Sequence, residues 1–110
     1  MLRQIPERDW KLWRKLSAVA LERFCAGVLE EVCRIAQPGG DAHARYRKLF
    51  QVLRERDDVI AAVFDDQRRS NAFFQITRAA VEGLLTEDEI ALFSDETQAI
   101  TRVLRGDSLR

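Results

Sequence analysis

The chain has 110 residues, 46% of them apolar, with five glycines, two prolines and two cysteines. That length accommodates one hydrophobic core and no second domain, and that apolar share excludes a chain disordered throughout. Eighteen basic and eighteen acidic side chains cancel, which disfavours a protein whose main task is to coat nucleic acid or an anionic membrane.

The charge is unevenly spread: residues 1–23 carry six Lys or Arg against three acids, and residues 79–101 carry six acids and no Lys or Arg. No stretch approaches 18 uninterrupted apolar residues, so no membrane span is expected. The opening Met-Leu-Arg-Gln-Ile-Pro lacks the apolar run of a secretory signal. The expected location is the cytoplasm.

The first helix is expected to start near Pro6, because the missing proline N–H has no helical partner at that position anyway. Its apolar stripe runs Trp10, Trp13, Ala20, Phe24, Val28, Val32 and Ile35 at spacings of three, four and seven. Gln37-Pro38-Gly39-Gly40 stops it. Cys25 and Cys33, eight residues apart on that helix, are about 12 Å apart and cannot bridge. They read as reduced, mostly buried thiols.

Asp41 caps a second helix, with Tyr46, Leu49, Phe50 and Leu53 as its apolar face. The short joint makes the pair an antiparallel hairpin. Further on, two sites offer a break: Asp57-Asp58, or Asp65-Asp66-Gln67 with Ser70 or Asn71 as the next cap. The first is favoured, because Val59 to Phe64 then continues into one stripe with Phe74 and Val81. Gly83 ends that helix, Thr86 to Glu89 forms a capping box for a short one, and Ser94 caps a last helix bearing Ile100, Val103 and Leu104. A polar tail follows over residues 106–110. The expected fold is all-α, a single-domain bundle of four to five helices built on the long N-terminal helix.

Catalytic chemistry finds little support. His43 is the lone histidine, expected on the surface, and no second one shares a metal or relays a proton. Neither cysteine has a base nearby in sequence, and Asp57, Asp58, Asp65 and Asp66 lack the spacing of a calcium loop. The chain is therefore expected to be non-enzymatic, with no metal or cofactor. Trp10 and Trp13, one turn apart, are expected in the core; their alternative role is a contact between two copies in a homodimer. A nucleic-acid patch would use Arg45, Arg47, Lys48, Arg54, Arg56 and Arg68, but interleaved acids weaken it.

The polar run Gln67 to Asn71 lies among phenylalanines. Either Ser70 and Asn71 cap a helix or bond the neighbouring loop, or Arg68, Arg69 and Asn71 make a small polar pocket or partner contact. Asp9-Trp10-Lys11, Arg69-Ser70-Asn71, Glu82 to Thr86 and Phe93-Ser94-Asp95-Glu96 together resemble the spaced signature of a family of small helical bacterial proteins. Members are often named as peptide or multidrug transporters without an established activity. The resemblance implies that Arg69, Ser70, Asn71 and the Ser94-Asp95-Glu96 corner matter as a unit. On charge grounds, Arg69 is expected to pair with Asp95 or Glu96, and Asn71 to tie down Ser94. The leading expectation for function is a helical module acting through protein–protein contacts as a homodimer, its other protein partner unspecified; a nucleic-acid-associated regulator is the alternative.

Overall fold

The computed structural model describes residues 4–106; the tail expected over 106–110 lies outside them beyond Gly106. Five α-helices and no strand occur among the described residues. They are α1 (Glu7–Ile35), α2 (Ala42–Phe64), α3 (Ala72–Val81), α4 (Glu87–Ile90) and α5 (Asp95–Arg105), with a 3₁₀ turn at Arg69–Asn71. The all-α bundle on a long N-terminal helix is what the helical spacing of the apolar residues dictates.

Most helix ends fall where local chemistry places them. Pro6 precedes α1, with Glu7 and Asp9 in its first turn, where carboxylates oppose the positive end of the helix dipole. The Asp41 carboxylate accepts the His43 N–H at 3.1 Å. Gly83, at φ +73°, provides the left-handed turn after α3. Thr86 and Glu89 satisfy each other's amides at 2.8 and 3.1 Å.

The break after α2 differs from the favoured expectation. The helix runs past Asp57 and Asp58 to Phe64, and the chain turns at Asp66, whose φ is +51°. No glycine or proline enforces this. Side-chain amides from further along the chain do so, by taking over the carbonyls that an ending helix leaves bare. Gln75 Nε2 donates to the carbonyls of Asp65 (2.9 Å) and Ala62 (3.5 Å), and Asn71 Nδ2 donates to that of Asp66 (2.9 Å). Asn71 Oδ1 in turn accepts the Arg68 N–H at 3.0 Å. Ending α2 here lets Val63 and Phe64 enter the core while α3 folds back.

That core comprises Ile5, Trp13, Leu16, Ala20 and Phe24 from the first part of the chain, Val63 and Phe64 from the end of α2, and Ala72, Ile76, Ala79, Ala80, Leu84, Leu85, Ile90 and Phe93 from the rest. It takes no side chain from residues 29–58. The far half of the α1–α2 hairpin therefore extends past the core. The molecule measures 52 × 32 × 24 Å with a radius of gyration of 16.7 Å, against about 13 Å for a compact domain of 100 residues.

Two other expectations give way to packing. Val103 and Leu104 are exposed, and α5 buries Thr97 and Thr101 instead. The first turn of α5 is fixed to α1 through Asp9, which sets the rotation of α5 about its axis. Cys33 is exposed and Cys25 half-buried, because α1 beyond Phe24 has a neighbour on one side only.

Candidate interaction surface

The polar residues singled out in sequence fall into three places. The first is the start of α1. Asp9 is completely buried, a cost that a carboxylate bears only when its oxygens are hydrogen-bonded. Oδ1 accepts the Ser94 N–H at 3.0 Å, and Oδ2 accepts the hydroxyls of Ser94 and Thr97, both at 2.5 Å. Burial pushes the Asp9 carboxyl up. The hydrogen bonds from the Ser94 and Thr97 hydroxyls and the Ser94 amide, with Arg8 nearby, outweigh it and hold the group below the usual aspartate range. Thus Asp9, not Asn71, ties down the Ser94 corner.

Arg69 is likewise redirected. Its guanidinium donates to the Ile5 carbonyl at 2.8 Å instead of pairing with Asp95 or Glu96, which lie in the first turn of α5. The bare carbonyl just before α1 presents an acceptor to the 3₁₀ turn, and Asn71 is occupied at the α2 break. Ser70, in the same turn, is exposed. The expected cluster of Arg69, Ser70, Asn71, Ser94, Asp95 and Glu96 is therefore not one contact set. Its two halves meet through Ile5 and Asp9, neither of which was a candidate site residue; Asp9 had a signal, standing beside Trp10 in the first turn of α1.

The second place is the tryptophan pair. Trp13 is fully buried, and its indole N–H donates to Gln75 Oε1 at 3.4 Å, so it cannot be a surface contact between copies. Trp10 is half-buried, with the Arg14 guanidinium 5.8 Å from its ring centre.

The third place is α2. Its buried residues are Val52, Val63 and Phe64, flanked by half-buried Leu49, Val59 and Ile60. Tyr46, Phe50 and Leu53, expected to face inward with Leu49, are 66%, 53% and 40% exposed. Positions 49, 52, 59 and 63 share one side of a 3.6-residue helix; 46 and 53 border it at Leu49, and 50 lies furthest around from it. Alongside this outer stripe runs a shallow trough whose charged lining is Arg47, Lys48, Arg54, Glu55 and Asp58. Arg54 stands 5.8 Å from the Phe50 ring centre.

The basic residues of α2 are not all on that surface. Arg45 donates to the Ala36 carbonyl at 3.2 Å, and Arg56 binds Glu31 through two bonds of 3.1 Å. That guanidinium holds the Glu31 carboxyl below its ordinary range. Arg68 pairs with Asp66. Of the six residues of the expected nucleic-acid patch, Arg47 and Arg54 remain on the outer face, beside Asp58, while Lys48 lies round towards α1, close enough to Glu31 to act on its carboxyl. His43 is exposed. No helix is long and apolar enough to cross a membrane, and no three metal-ligating side chains converge, among the described residues.

Comparison with protein-family models, with curated proteins and with solved structures returned no match.

Proposed function

We propose that this chain is a non-enzymatic helical interaction module of the bacterial cytoplasm that works through protein–protein contacts, as a homodimer, and that the outer face of α2 makes the contact. Kinship with the small helical family that the sequence resembles is part of the same proposal and adds no activity. One observation carries the reading: Tyr46, Phe50 and Leu53 stand in water on the outer flank of a helix whose other side is already packed. Single exposed apolar residues are ordinary, but three on consecutive turns of one helix form a stripe of the kind that binding surfaces use. The two aromatic rings, Tyr46 and Phe50, supply large contact area at low entropic cost.

Sedimentation equilibrium of the full chain from low to high micromolar concentration tests this. The expected result is a monomer–dimer equilibrium that Phe50→Glu shifts to monomer with helix content unchanged. A wild-type monomer throughout the range removes the homodimer, and a dimer indifferent to Phe50→Glu removes the α2 face.

A further inference from the structure

The charges along the trough are ordered. From the N-terminal to the C-terminal end of α2 they run Arg47, Lys48, Arg54, Glu55, Asp58, basic first and acidic last. Arg47 and Asp58 are exposed and make no ion pair within the chain among the described residues. Such a face cannot pair with itself in parallel, because Arg47 would then oppose Arg47 and Asp58 would oppose Asp58. Turned end for end, it matches itself.

Resting on the homodimer reading above, we infer that two copies pack α2 against α2 antiparallel, about a two-fold axis at the level of residues 52–53. The register follows from the spacing. Arg47 of one copy meets Asp58 of the second, and the pair recurs through the symmetry, as an isologous interface requires. Phe50 of both copies lies next to the axis with Leu53 on one flank, forming the dry centre, and Arg47 and Asp58 on the other flank form the rim. The opposed helix dipoles favour the same orientation. The core is untouched, since none of these residues belongs to it.

The test is a charge exchange read by sedimentation, with circular dichroism to confirm that each variant keeps its helix content. Both sites are exposed, so folding is not at stake. Arg47→Asp and Asp58→Arg, each alone, place two like-charge contacts in the dimer and should weaken it about tenfold. A mixture of the two variants restores both contacts in the heterodimer, and so does the double variant within one chain; each should return to within about threefold of wild type. A wild-type dimer that neither single change weakens overturns the antiparallel α2 pairing and leaves the homodimer standing. A dimer strengthened by Arg47→Asp overturns the orientation. A wild-type monomer at several hundred micromolar removes the homodimer itself.

Discussion

Replacing Asp9 with alanine removes the carboxylate that accepts from three donors, the Ser94 amide, the Ser94 hydroxyl and the Thr97 hydroxyl, and of these only the Ser94 hydroxyl keeps a second acceptor, Thr97 Oγ1 at 3.4 Å. Hydrogen bonds to a charged group contribute about 1.5–3 kcal/mol each, and a buried polar group stripped of its partner costs about 1–3 kcal/mol. Ser94 is half-exposed and can recruit water, whereas Thr97 is fully buried and cannot. The summed loss is then about 3–4 kcal/mol, which for a domain of this size lowers Tm by about 15–25 °C. Asp9→Asn keeps an acceptor oxygen but adds two N–H groups to the same pocket, and should cost about half as much. Urea denaturation followed by circular dichroism measures both. A cost below about 1 kcal/mol for Asp9→Ala would refute the reasoning, because it would mean that the donors find other partners at no expense.

The same carboxylate sets a pH dependence. Its folded pKa lies below the value of about 3.9 expected in the unfolded chain. Its contribution is therefore complete above pH ~4 and disappears as the pH falls through the folded pKa. Wild type should lose stability relative to Asp9→Asn as acid is added below pH ~4. Glu31, Glu87 and Glu89, whose carboxyls Arg56, Arg102 and Arg23 also hold low, are common to both proteins and cancel in the difference.

Three further outcomes follow from contacts described above. Gln75→Leu keeps the bulk but strips partners from the Trp13 indole and the last carbonyls of α2, and should cost about 2–3 kcal/mol by chemical denaturation. Asp66→Gly relieves a left-handed backbone and should stabilise by about 0.5–1 kcal/mol, an increase visible in the urea midpoint. A double-mutant cycle between Arg69→Ala and Asp95→Ala should be additive within about 0.5 kcal/mol, because Arg69 bonds to Ile5; a larger coupling would restore the ion pair that charge alone suggested.

What the sequence made legible was whatever acts over one or two turns. Pro6, the Pro38-Gly39-Gly40 stop, the Thr86–Glu89 box and the Ser94 cap each announce a helix end through groups a few residues apart. The end of α2 does not, since Gln75 closes it from ten residues away and nothing in Asp65-Asp66-Gln67 shows that partner. Rotation of a helix was equally hidden. α2 has apolar residues on two sides, and periodicity cannot say which side a neighbour will cover; α5 turns threonines inward because Asp9, 85 residues before Ser94, holds its first turn. Charge misled for a related reason: Arg69 satisfied a backbone carbonyl, a partner that every residue carries and that no sequence pattern marks.

The hairpin that outreaches the core makes α1 one continuous helix with two levels of anchorage. Amides near Trp13 to Phe24 can open only when the core opens, while those near Val32 and Leu49 need only the tip to come apart, at a much lower free energy. Native-state hydrogen exchange will therefore grade along a single helix. Protection of the tip, rising with protein concentration while the rooted half stays constant, would locate self-association directly in the solution molecule.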